Sequence, residues 1–383
     1  MMHFNAKTVL AVSLVLLAGC SSLNPFSSKS TRNEPAALVS FKPSMKLSTV
    51  WSSSVGKSGT YVFSPALADG KLFAASADGD IMAIDVKSGK TLWRINAGMG
   101  LTAGVGSDGN TVVVAGTDGV VLAFDALNGK KRWKARASSE VLSAPAVGMG
   151  MVVLRSLDNR IAAFDAESGT QRWFLQRTTP ALTLRAAPGI IIAEGNAYVA
   201  LPGGRVLALA LASGIVRWES IIAEPRGATE LERIVDVSGA PVITGRDMCA
   251  VTFQGRVACG DAVSGKLRWA RELSSEAGVG VDERFVFAAD ERGNVNAFAR
   301  DNGASIWRNT SLGWRRLAAP VSFGRAVIVG DAQGYLHFLS REEGAMLARV
   351  STDGSAIKTA PIVAGSNLIV QTEAGKLLAL TAD

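Results

Sequence analysis

The sequence predicts an all-β fold: an eight-bladed β-propeller of four-stranded blades, closed by its own N-terminal strand. Three observations carry this. Trp93, Trp133, Trp173, Trp218, Trp269 and Trp307 each stand four residues after a glycine and recur at intervals of 40, 40, 45, 51 and 38 residues. A short hairpin turn repeats eight times, at Asp78-Gly79, Asp118-Gly119, Asp158-Asn159, Gly203-Gly204, Gln254-Gly255, Arg292-Gly293, Gln333-Gly334 and Ala374-Gly375. The last copy runs Lys376 to Leu380 and stops short of a final strand, whereas Val50-Trp51 lies one period ahead of Trp93 with nothing before it. Periods of about 40 residues built from several short strands mark propellers. A first strand that completes the last blade also removes free sheet edges.

Each unit reads the same way. In the first, Ser64-Pro65-Ala66 enters, Lys71 to Ser76 is an apolar strand, and Asp78-Gly79 turns. Ile81 to Asp85 then returns, and Ser88-Gly89-Lys90 turns into Thr91-Leu92-Trp93. Apolar runs of this length bounded by Gly, Asp and Asn are what buried strands require, and glycine supplies the positive φ of tight hairpin turns. The seventh unit departs from the pattern, with Glu343-Gly344 followed by Ala348 where tryptophan is due. The tryptophans and turn residues are read as scaffold, each indole packing between adjacent blades.

The chain opens differently. Lys7 leads into the apolar run Val9 to Leu17 and then Ala18-Gly19-Cys20. The run is too short to span a bilayer as a helix, and small residues before Cys20 suit cleavage, so residues 1–19 read as a signal peptide. Leu17-Ala18-Gly19-Cys20 resembles the lipobox of bacterial lipoproteins, which implies lipidation of Cys20. Ser21 follows it in place of the aspartate that retains such proteins at the inner membrane, favouring the periplasmic face of the outer membrane. Residues 20–48, rich in Ser, Pro, Asn and Lys without apolar periodicity, read as a flexible tether, and 49–383 as the propeller.

Composition narrows function. The net charge of +7 and pI near 9.4 suit nucleic acid in principle, but a periplasmic address removes that partner, and the charge reads as a solvated surface. With 48% apolar and 19% charged residues, one large core needs no second domain. Cys249 and Cys259 flank the turn at Gln254-Gly255, which leaves two readings: a cross-strand disulfide, or two small buried thiols.

The Asp-Gly turn, Ala-x-Asp, Ser-Gly-Lys and Trp of each unit resemble the pyrroloquinoline quinone (PQQ) enzyme-like repeat, over residues 50 to 383. With a lipobox, a short tether and eight such repeats, the chain resembles the BamB family, lipoprotein subunits of the outer-membrane β-barrel assembly machinery. That resemblance implies a non-catalytic scaffold assisting folding and insertion of outer-membrane proteins, with BamA and the rest of the Bam complex as partners and unfolded outer-membrane proteins as a further class. It also implies contact residues. Ala181-Leu182-Thr183-Leu184-Arg185 resembles the segment by which family members contact BamA, and residues 227–237 resemble the acidic connector completing that surface, with Asp236 at a contact aspartate. Ser238 stands where a second acid is expected. On residue type, Leu182 and Leu184 beside Arg185 fit either an interface or a cap on the inter-blade core.

Enzyme chemistry finds little support. His3 lies in the signal and His337 in the apolar strand Tyr335 to Leu339, leaving no second histidine in the mature chain for a metal pair or a nucleophile–base dyad. The rival reading is a PQQ-dependent dehydrogenase, or else a periplasmic peptide-binding chaperone. Such dehydrogenases carry adjacent cysteines and a calcium site; here the cysteines are ten apart, and no metal or cofactor site is expected. Glu230, Glu232 and Asp236 read as a solvated acidic loop, Pro202-Gly203-Gly204 as a hairpin turn rather than a phosphate cradle. Trp314, outside the repeat register, is either an exposed interface residue or packed at the blade six–seven junction.

Overall fold

The computed structural model describes residues 33–184 and 188–382. Among them lie eight four-stranded antiparallel sheets. Blade one is Ala66–Ala68, Lys71–Ala75, Asp80–Asp85 and Thr91–Asn96, ordered from the ring axis outward, and the next six blades repeat it. Blade eight pairs Ile362–Ala364, Asn367–Gln371 and Lys376–Ala382 with Leu47–Ser54 as its outer strand, from Leu47 opposite Ala382 to Ser54 opposite Lys376. The N-terminal strand thus closes the ring.

The second and third strands of each blade are buried on both faces, which is why Lys71–Ala75 and Asp80–Asp85 are nearly continuously apolar. Outer strands meet solvent and alternate, as in Gln171–Gln176. In blades one, two, three and five the third strand ends in an aspartate that organises the following turn. Asp85, Asp165 and Asp261 each accept the backbone N–H and the hydroxyl of the serine three residues on. The serine bonds hold the Asp85 and Asp261 carboxyls below the usual range, Asp261 at about 2, and the Arg172 guanidinium together with the Ser168 bonds does the same for Asp165.

The tryptophan–glycine spacing has a physical cause that lies between units. A β-bulge just before each tryptophan re-aims it. Its indole N–H then donates to a carbonyl one blade on. Trp51, Trp93, Trp133, Trp173, Trp218, Trp269 and Trp307 reach Val86, Ala126, Ala166, Leu211, Ala262, Arg300 and Arg341 at 2.7–3.0 Å. The glycine of that next blade's turn lies flat on the ring. A Cβ on Gly169, whose φ is +72°, would stand 2.6 Å from Trp133 Cδ2. The glycine four residues before each tryptophan therefore serves the preceding blade's indole. Across the strand, the same logic selects small partners: Trp93, Trp133, Trp173, Trp218, Trp269 and Trp307 sit opposite Ala83, Ala123, Ala163, Ala208, Cys259 and Ala297.

Ala348 now has an explanation. Its register position matches that of the tryptophans, but the strand facing it carries Phe338 where others carry alanine or cysteine. The next blade is the eighth, whose third and fourth strands are Lys376–Ala382 and Leu47–Ser54, so among the described residues no glycine turn joins them to receive an indole. The gap is covered by a segment expected to be tether. Ser44 and Met45 both donate their N–H to Leu347 O, at 2.9 and 3.3 Å, and Met45 is buried with Leu347, Ala348 and Phe338. Where the sequence reading carried a free tether to residue 48, the chain is already seated on the ring from Ala36, whose N–H donates to Gly313 O. Composition hid this because most contacts go to the segment's backbone. Cys20 lies outside the described residues.

Candidate partner-docking surface

The two longest connectors between blades run from Gln176 to Ile190 and from Ile221 to Val237. They emerge on the same end of the ring as the eight first-turn hairpins, since the strands alternate direction within every blade. One carboxylate joins them. Asp236 Oδ2 accepts the Leu184 N–H at 2.6 Å and Oδ1 accepts the Gly203 N–H at 3.1 Å, while its own backbone bridges Pro202. The side chain is 5% exposed, so Asp236 sits beneath the connector instead of on its outer surface. Burial pushes its carboxyl up; the two amides and the Arg155 guanidinium pull the other way.

Arg155, at the end of blade three's second strand, is the counter-charge that sequence reasoning missed. Burial holds its pKa below the ordinary arginine value, with Asp236 opposing. Its Nη1 donates to Asn159 Oδ1 at 3.3 Å, and Asn159 Nδ2 donates to Thr178 O at 3.1 Å, at the root of the first connector. Gly204 lets the second connector pass closely: Ile222 N–H donates to its carbonyl, and a Cβ there would stand 2.2 Å from Ala223 O.

Glu232 is also engaged internally. Its Oε2 accepts the N–H groups of Ala228 and Thr229 at 2.9 and 3.0 Å, and Thr229 Oγ1 accepts the Glu232 N–H at 3.3 Å. This reciprocal capping box lowers the Glu232 carboxyl. Its signature, Thr229-Glu230-Leu231-Glu232, was available in the sequence. Ser238 is buried, and its hydroxyl donates to Ser275 O at 2.6 Å, linking blade five to the following connector. Two leucines are exposed among the polar residues of this surface: Leu182 at 43% and Leu231 at 68%, beside the exposed Glu230 and Arg233. Leu184 is half-buried. Arg185 lies outside the described residues.

The remaining sequence candidates fall elsewhere. Cys249 and Cys259 are directly opposite in register, fully buried, and joined as a disulfide in blade five. Trp314 is 37% exposed at the blade six–seven junction. His337 is fully buried beneath blade seven's surface. Its Nδ1 accepts from Arg349 Nε–H at 3.3 Å, which places the ring proton on Nε2, 2.8 Å from Asp331 Oδ2. With both ring nitrogens engaged it is a satisfied strand residue, and burial lowers its pKa. Among the described residues no cluster of three His, Cys, Asp or Glu forms a metal site, and none of their helices is long and apolar enough to cross a membrane.

Comparison with known proteins agrees with the fold. The sequence profile of "outer membrane protein assembly factor BamB" matches residues 48–97, 77–309 and 291–383. A Bordetella pertussis protein of that name is 45% identical over 323 residues, covering 84% of this chain and 83% of the relative. The crystal structure of BamB from Moraxella catarrhalis superposes with a TM-score of 0.81 at 25% identity, over 88% of this chain and all of that one. A quinohemoprotein alcohol dehydrogenase from Comamonas testosteroni superposes at 0.70, but with 13% identity over 88% of this chain and 76% of its own, so that likeness is one of fold.

Proposed function

The chain belongs to the BamB family of outer membrane protein assembly factors, and from that premise we propose that it acts as a non-catalytic scaffold by docking BamA on the paired connectors of blades three to five. The observation that carries this is the Asp236 clasp. Buried bonds to Leu184 and Gly203 fix the connectors' backbone, so Leu182 and Leu231 are presented from a preorganised base. Exposed leucines on a rigid platform suit an interface core. Asp236 contributes by positioning, with Arg155 behind it, and Arg185 adds a bidentate donor for a carboxylate of the partner.

The same reading assigns Cys20 as the lipidated residue and the outer membrane, periplasmic side, as the location. The test is recovery of BamA with the affinity-tagged, full-length chain from membranes. Leu182→Ala combined with Arg185→Glu is expected to reduce recovery at least about tenfold, equivalent to about 1.4 kcal/mol, with an unchanged melting temperature. Undiminished recovery removes the docking assignment. Cys20→Ala is expected to release the chain from the membrane fraction.

A further inference from the structure

Among the described residues, seven of the eight blade junctions are filled by an outer-strand indole, and at the junction of blades seven and eight Met45 enters instead, at the end of a segment, residues 36–44, that crosses blade seven from the blade six–seven connector. We infer that this track across blade seven is a binding site for an extended peptide carrying a few apolar residues, occupied in cis by residues 36–44. The inference stands apart from the docking surface on blades three to five and does not rest on it.

Recognition here is of backbone. Arg315 Nη1 donates to Ala36 O at 2.9 Å, Arg349 Nη1 to Val39 O at 3.1 Å, and Arg325 Nη2 to Ser44 O. Any extended chain presents carbonyls of this kind. Side-chain selection is loose: the Arg349 guanidinium lies 5.1 Å from the centre of the Phe41 ring, Ala36 and Leu38 are half-buried, and Val39, Ser40, Lys42 and Pro43 face solvent. Met45 is buried and leads directly into the closing strand, so it stays as the floor of the site when the segment before it leaves.

Arg315 and Arg349 are held independently of the occupant. Arg315 Nε donates to Asp331 Oδ2 at 2.6 Å, the same oxygen that meets His337, and His337 in turn holds Arg349. Asp331 and His337 are fully buried. Burial opposes the charge on Asp331, but bonds from His337, the Tyr335 amide and Arg315 keep its carboxyl below the ordinary range. The donors are thus preorganised for an acceptor chain. Arg349 Nη2 is buried with no acceptor among the described residues, an unmet donor that a peptide carbonyl satisfies. Residues 36–44 make no strand pairing, so they leave without dismantling a sheet.

The experiment uses the full-length chain and a fluorescein-labelled peptide of residues 35–44, read by anisotropy. Leu38→Ser with Phe41→Ser frees the segment while keeping Met45 and the closing strand. If the segment is docked about 90% of the time or more, the freed variant binds the peptide at least about tenfold tighter than the parent. Adding Arg349→Ala to the freed variant is expected to abolish that gain. A scrambled peptide that keeps its apolar positions is expected to bind like the original. Equal binding by parent and freed variant, or selectivity against the scrambled peptide, overturns the inference. Should the freed variant fail to fold, the parent chain is cross-linked with a peptide bearing a photoreactive phenylalanine in place of Phe41. Adducts confined to blade seven and the connector that enters it support the site; adducts elsewhere, or none, overturn it.

Discussion

Trp133→Ala and Gly169→Ala, made singly and together, test whether the repeat's tryptophan and glycine act as one clasp across a blade junction. Trp133 is 7% exposed, and burying an indole of roughly 200 Å² at about 25 cal/mol per Å² sets an upper bound of about 5 kcal/mol. Deletions of this size in protein cores cost about 3 to 5 kcal/mol. The hydrogen bond to Ala166 O adds little, because that carbonyl also accepts from Thr111 Oγ1 at 3.4 Å and is not orphaned. Gly169→Ala carries two separate costs. Its φ of +72° disfavours an L-residue by roughly 1 to 2 kcal/mol, and the Cβ clash with the indole adds about 1 to 3 kcal/mol of overpacking. Only the first cost survives once Trp133 is alanine. The two substitutions are therefore expected to couple by about 1 to 3 kcal/mol, the double variant being more stable than the sum of the singles implies. Urea unfolding followed by far-ultraviolet circular dichroism at 25 °C reads this from the midpoints, provided the slope is unchanged. Additivity within about 0.5 kcal/mol would show that glycine and indole do not meet, and the clasp would be wrong.

Three further outcomes follow. Replacing Cys249 and Cys259 by alanine is expected to cost about 2 to 3 kcal/mol, from the roughly ten-residue loop that the bond closes, read from denaturant midpoints; a change below about 0.5 kcal/mol would show that the bond does not constrain the chain. Because Asp85, Asp165 and Asp261 are held below their unfolded values, their stabilisation is present above about pH 4 and lost as pH falls toward about 2. Melting temperature should fall across that window, and less steeply in Asp261→Asn; identical profiles would remove the turn aspartates as the cause. Asp236→Ala leaves the Leu184 and Gly203 amides without their acceptor, at about 1 to 3 kcal/mol for a buried donor. Their hydrogen exchange should accelerate at least about tenfold while blade-core amides stay protected, and unchanged exchange at Leu184 would exclude the positioning role.

Local rules carried most of the fold. Turn glycines, apolar runs and the forty-residue period were enough to place eight blades and to identify Trp51 as the missing outer strand, because each of these signals lies within a single unit. Contacts between units were not legible. Gly169 stands four residues from Trp173 in sequence but lies on Trp133, so the spacing exposed the repeat without revealing its mechanical pairing. Asp236 was marked as a contact residue; the sequence of an acidic connector does not show that one carboxylate has turned inward to two backbone amides. Arg155 was invisible for the same reason, since nothing around it distinguishes a buried counter-charge from a solvated strand end.

Ala348 shows how a departure from a repeat acquires meaning only when the ring is closed. A tryptophan there would meet no glycine turn of the following blade among the described residues, because blade eight takes its outer strand from Leu47–Ser54. Evolution of such a junction by loss of one indole would leave a cavity, with a cost that grows with its volume. Two changes fill it: Phe338 enlarges the facing position, and Met45 enters from the N-terminal segment. Where the ring closes, the segment ahead of the closing strand crosses blade seven, and the arginines that hold it there make that track receptive to an extended chain. Closure and peptide recognition are then consequences of one topological fact, which is why a substitution at Phe338 is expected to disturb both, whereas one at Trp133 disturbs neither the seam nor its occupant.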